Sequence, residues 1–213
     1  MVKRVVPRGG AVEEDRGTDV PRYSRASLFK GSVALLGAAG GSALGAAELA
    51  AAPDSSGSAA TDRQILTFGL LIERLQAAFY ADALRAGRLT GEARQFAQVV
   101  AAEEGAHVKY FTAALGGAAG KSPDFRFGDA VTDPAKFIGT AISLEEAGLG
   151  VYNGQGVNLT PQTLAAAARV VSVEARHAAW ARALAGKDPA PVAVDVPVTV
   201  VQAKQTFRPF IVQ

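Results

Sequence analysis

The sequence predicts an all-α protein, a four-helix bundle whose second and third helices are joined by one long crossover. Three observations carry that expectation. Of 213 residues, 49% are apolar but only 7% aromatic, and Ala, Val and Leu dominate the apolar set, a mix that suits close-packed helices better than sheets. Four segments of helical periodicity each open on a capping residue and close on glycine. The connections between them run short, long, short, so the outer pairs read as antiparallel hairpins and the middle link can run the length of a bundle.

Residues 1–30 are charged and rich in Gly and Pro, the composition of a disordered segment. Arg25 and Lys30 then precede an apolar run from Gly31 to about Leu49, followed by small residues and a Pro/Ser/Gly linker. Positive, apolar and small-residue regions in that order read as an export signal. The segment resembles a twin-arginine signal at Ser24, Arg25, Leu28, Phe29 and Lys30, with Ala26 standing in place of the second arginine. That departure leaves the export pathway open, and the long leader before it suggests an upstream start codon. A membrane anchor is the rival reading, since Gly37, Gly41 and Gly45 have helix-dimerisation spacing. The glycine content and Glu48 argue against a spanning helix. The expected location is extracytoplasmic, with no stable membrane span after signal removal.

The first long helix is expected from Asp62, as N-cap, to a stop at Gly87, and the second from Thr90 to Gly116-Gly117. An irregular crossover of roughly 16 residues follows. The third helix opens at Asp133-Pro134 and runs to about Gly154, and the fourth opens at Thr160-Pro161 and ends at Gly186. Thr199 can cap a short closing helix through Phe207, with a β-strand as the alternative. The expected division is a leader at residues 1–52 with the Tat-like signal, a linker at 53–61, the bundle at 62–186, and a tail at 187–213 packing on the bundle.

Charge and composition exclude several function classes. Residues 1–52 hold seven basic and five acidic side chains, leaving fifteen of each for the rest. The globular part is neutral and carries no basic stripe, so nucleic acid is not an expected partner. The absence of cysteine excludes disulfides, thiolate metal sites and cysteine nucleophiles.

The chemistry lies in the chain's two histidines, His107 and His177, each three residues after a glutamate, Glu104 and Glu174. A helix returns to the same face after three, four and seven residues. On that count Val170, Val171, Ala178 and Ala181 surround Glu174, and Val100, Val108 and Phe111 surround Glu104, so both pairs fall in apolar stripes. Helices one and three repeat the theme with Glu73 and Glu145, each followed seven residues later by a tyrosine, Tyr80 and Tyr152. Glu73 and Tyr80 map onto Glu145 and Tyr152 by a shift of 72, and Glu104 onto Glu174 by 70. The halves read as a duplicated hairpin.

Four carboxylates and two imidazoles then converge in the bundle, and such a cluster cannot stay ionised without cations. Two divalent metals, Fe or Mn, answer that problem with the ligand set of carboxylate-bridged bundles. Glu104 and Glu174 are expected to bridge both metals, with Glu73 and Glu145 as terminal ligands and His107 and His177 completing the pair. Tyr80 and Tyr152 can serve as hydrogen-bond donors to the carboxylates or as plain core aromatics. Glu103 shares a face with Phe96, Val99 and Tyr110, a candidate outer partner of the ligands. Glu146 faces the more polar Gly139, Ser143, Gly150 and Asn153, so Glu145 is preferred over it. The alternative is a structural or vestigial polar core.

The segments "LIERLQAAFYADALRAG", "AAEEGAHVKYFTAALGG", "SLEEAGLGVYNG" and "VVSVEARHAAWARALAG" resemble the ferritin-like family that includes plant desiccation-related proteins and exported bacterial homologues. The likeness covers about residues 62 to 213, including Tyr152 to Gly154 and the closing "VPVT…RPFIV". More distantly the pattern is similar to rubrerythrin and manganese catalase. The resemblance implies a ferritin-like bundle and leaves the activity open.

Three functions follow as expectations. The first is a redox-active two-metal protein handling peroxide, dioxygen or ferrous iron, as a peroxidase, catalase-like enzyme or ferroxidase. The second is a non-catalytic stress or desiccation protein, and the third, ranked last, is iron storage in a cage. Metal ions and a small oxidant are the expected partners, and the reading allows a homodimer.

Overall fold

The computed structural model describes residues 57–212; the leader and its export signal lie outside the described residues, as do residues 53–56 of the expected linker. Four long helices, α1 (Ala59–Ala86), α2 (Gly91–Leu115), α3 (Pro134–Gln155) and α4 (Pro161–Leu184), are followed by a short α5 (Val200–Phe207). The most extensive helix contacts are α1 on α2 and α3 on α4, as the short links at residues 87–90 and 156–160 require. Residues 116–133 form the crossover and include two 3-10 turns, Gly116–Ala119 and Gly128–Val131.

Three helix starts follow their capping chemistry, while Thr90 precedes α2 without a side-chain cap bond. The Asp133 side chain accepts from Ala135 N and Lys136 N at the start of α3, and Thr160 accepts from Thr163 N at the start of α4. Thr199 and Gln202 form a reciprocal capping box on α5. The first helix, however, begins at Ala59 with Ser58 as its cap, not at Asp62. Ser58 lies in a Ser/Gly-rich stretch that reads as linker, so its capping hydroxyl is hidden by composition.

Asp62 is released by this shift for a longer-range task. Buried in the first turn of α1, its carboxylate accepts from Thr160 N (2.9 Å), Thr160 Oγ1 (2.6 Å) and Thr163 Oγ1. It ties the start of α1 to the start of α4. Burial alone would raise its pKa, but the bonds from Thr160 and Thr163 outweigh that and hold it below the ordinary aspartate value. Asp62→Ala strands the Thr160 amide and the Thr163 hydroxyl proton, while Thr160 Oγ1 keeps Thr163 as a partner, and is expected to cost about 1–3 kcal/mol in denaturant unfolding. An unchanged midpoint would show that the tie contributes nothing.

Two apolar clusters fill the bundle. The larger contains an aromatic group in which Phe79 stacks on Phe137 at 5.2 Å and meets Tyr80 edge-on at 5.1 Å, geometries favoured by the ring quadrupole. The smaller gathers Leu70, Phe111, Tyr152 and Val170. The C-terminal tail closes the structure over α3. A Cβ on Gly150 would stand 2.4 Å from Val198 Cγ2, and one on Gly154 would stand 2.5 Å from Val198 O. Glycine at both positions lets Val198 lie on the helix, where its N–H donates to Gly150 O at 2.8 Å. Beyond α5, Phe125 and Ile211 form one antiparallel bridge between crossover and tail. That bridge is as far as the strand alternative is realised among the described residues.

Candidate metal centre

Each long helix turns one carboxylate into the interior: Glu73 on α1, Glu104 on α2, Glu145 on α3 and Glu174 on α4, all 0% exposed. The helical period dictates this, because each glutamate is set in a stripe of apolar residues that must face the core. His107 and His177, one turn further along α2 and α4, are also buried. The six side chains predicted from the sequence therefore meet in one place. That place lies where the apolar clusters join, with Tyr80 contributed by one and Tyr152 by the other.

Both imidazoles present Nδ1 to the carboxylates. His107 Nδ1 lies 3.0 Å from Glu174 Oε1, 3.1 Å from Glu73 Oε2 and 3.5 Å from Glu104 Oε2. His177 Nδ1 lies 3.0 Å from Glu104 Oε1 and 3.5 Å from Glu145 Oε2. One ring nitrogen carries at most one proton, so it cannot satisfy three oxygens. Glu73, Glu104, Glu174 and His107 form one group with ligand atoms within 4.8 Å of one another, and Glu104, Glu145, Glu174 and His177 form another. Glu104 and Glu174 belong to both.

The residues fit cations better than they fit each other. Among the described residues, five carboxylate oxygens of Glu104, Glu145 and Glu174, together with His177 Nδ1, are buried without a hydrogen-bond partner. His177 Nδ1 is near Glu104, yet the alignment is not that of a hydrogen bond. An orphaned buried polar atom costs about 1–3 kcal/mol and more when charged, so the cluster is built for a partner other than protein. Oxygen and imidazole donors without thiolate suit hard to borderline divalent metal ions.

Electrostatics point the same way. Burial raises the Glu104 pKa well above the ordinary range, and the charges of Glu174 and Glu73 raise it further. Burial and Glu73 push Glu174 up to about 8. Burial alone would lower the histidines, but Glu104, Glu174 and Glu73 lift His107 to about 12, and Glu104 and Glu145 lift His177 to about 11. Without cations the cluster therefore holds protons in their place.

The two tyrosines are crossed. Tyr80 on α1 donates to Glu145 Oε1 on α3 at 2.6 Å, and Tyr152 on α3 donates to Glu73 Oε1 on α1. Each tyrosine thus serves the glutamate of the other repeat, and the same rings pack in the core. Burial first, then the neighbouring carboxylates, raises both phenol pKa values, so both remain donors. Glu103 accepts from His177 Nε2 at 2.5 Å. Glu146 takes no part in the cluster; it is exposed and pairs with Arg182. One further polar side chain enters the interior: Gln76 falls on the same apolar face of α1 as Glu73, a position that helical period alone marks. Its amide is fully buried against Gly148, and among the described residues neither Nε2 nor Oε1 has a hydrogen-bond partner.

Comparison with known proteins agrees with this arrangement at the level of the domain. A family model described as the ferritin-like domain matches residues 61–187. No curated protein matches the chain.

Proposed function

Because the chain belongs to the ferritin-like domain family, we propose that its buried cluster holds two divalent ions, iron or manganese, and that the protein performs redox chemistry on peroxide, dioxygen or ferrous iron outside the cytoplasm. The observation that carries this reading is the pair of overlapping ligand groups sharing Glu104 and Glu174. Glu73, Glu104, His107 and Glu174 would hold one ion and Glu104, Glu145, Glu174 and His177 the other, with Glu104 and Glu174 common to both sets. Two such ions supply one-electron redox changes at adjacent centres and the charge that four carboxylates need.

The chain's own residues then have definite tasks. Tyr80 and Tyr152 orient Glu145 and Glu73 by donating to one oxygen of each, which leaves the other oxygen for the metal. The apolar clusters on either side exclude bulk water from the ligands. Gln76 contributes a donor and an acceptor with no protein partner, the polarity that a small oxygen-bearing molecule in the core requires. The leader at residues 1–52 supports export, and a role in oxidative or desiccation stress follows from that placement together with peroxide chemistry. No helix among the described residues is long and apolar enough to cross a membrane.

A purely structural polar core is the weaker reading, because a core selected for stability alone would not keep five carboxylate oxygens unpartnered. The test is metal analysis of the protein purified from its native compartment, followed by peroxide-consumption and ferrous-oxidation assays. About two equivalents of iron or manganese per chain with turnover in either assay is the expected result. Metal without turnover in both assays would reduce the protein to a metal-stabilised bundle, and absence of metal would remove the reading.

A further inference from the structure

We infer that the two halves of the cluster bind metal unequally, with the His177 half the tighter, because Glu103 serves His177 and no described residue serves His107 in the same way. The inference rests on the two-metal reading and adds a difference that the internal repeat would otherwise conceal.

The repeat supplies the comparison. A shift of 70 carries Glu104 onto Glu174 and His107 onto His177, and it carries Glu103 onto Val173. Glu103 on α2 reaches across to α4 and stands 2.5 Å from His177 Nε2. The corresponding position on α4, Val173, holds a valine that cannot accept a hydrogen bond. Among the described residues, His107 has its hydrogen bond through Nδ1, to Glu73, and none through Nε2. Its side chain is 11% exposed against 3% for His177.

The consequence follows from imidazole chemistry. A histidine that ligates through Nδ1 must carry its proton on Nε2. Glu103 accepts that proton's hydrogen bond, so it fixes both the tautomer and the ring plane of His177 and makes Nδ1 a stronger donor to metal. His107 must select tautomer and orientation without such help. Because the Glu103 side chain is 46% exposed, replacing it disturbs the core little, which separates positioning from folding. Glu103 is thus a positioning residue for one of two otherwise repeated ligand sets.

The experiment uses the full chain, stripped of metal by a chelator and titrated with Mn(II), with free ion read by its EPR signal. Wild type is expected to bind in two steps whose affinities differ by about 10- to 100-fold. Glu103→Leu should weaken the tighter step by about that factor and leave the other within about twofold, with an unchanged far-UV spectrum. Val173→Glu should tighten the weaker step by restoring the missing acceptor, and Glu103→Gln should fall between wild type and Glu103→Leu. Two equal steps in wild type, or a Glu103→Leu variant that weakens both steps alike or neither, would overturn the inference while leaving the two-metal reading intact. Failure of every variant, wild type included, to bind Mn(II) would remove both.

Discussion

Glu104→Ala and Glu174→Ala, combined in one chain, will empty the centre: bound iron or manganese after reconstitution falls from about two equivalents to near none, a loss of affinity above about 100-fold. The size of the effect follows from geometry. These are the two residues that belong to both ligand groups, so on the two-metal proposal their removal takes an oxygen donor from each ion at once. Loss of an outer partner alone costs about 10- to 100-fold, and direct ligands shared by two sites must cost more. Retention of two equivalents by the double variant would sink the ligand assignment.

Much of this arrangement was legible from helical period alone. Glu73, Glu104, His107, Glu145, Glu174 and His177 could be located because each interrupts an apolar stripe, and the duplication repeats the interruption. The crossed bonds of Tyr80 to Glu145 and Tyr152 to Glu73 were not legible in the same way. Sequence spacing relates a tyrosine to the glutamate two turns away on its own helix, whereas the contact depends on how α1 and α3 are set against each other. Composition hides the cap at Ser58, and topology hides the role of Asp62, since nothing local announces that its carboxylate reaches Thr160 and Thr163. Glu146 could be set aside from its polar strip. Glu103 could not be resolved until its reach across to α4 was known.

Metal-free and metal-loaded protein should respond to pH in opposite senses. In the metal-free protein, Glu174 is raised from 4.5 to about 8 and the histidines from 6.5 to about 12 and about 11. A group whose pKa is higher folded than unfolded adds stability that is complete below its unfolded value and lost as pH climbs to the folded one. For Glu174 that window runs from 4.5 to about 8, and for the histidines from 6.5 up to about 11 or 12. The metal-free melting temperature should therefore fall between pH 5 and pH 9, by about 5–10 °C if the net loss is about 2–3 kcal/mol. Metal binding reverses the sign, because ligands must shed those protons before they can coordinate. At fixed Mn(II) concentration, affinity and its contribution to stability rise as pH climbs through the same range. The gap between melting curves recorded with Mn(II) and with chelator should thus widen from pH 5 to pH 8. A constant gap would mean that the ions do not displace the cluster's protons, and hence that they bind elsewhere.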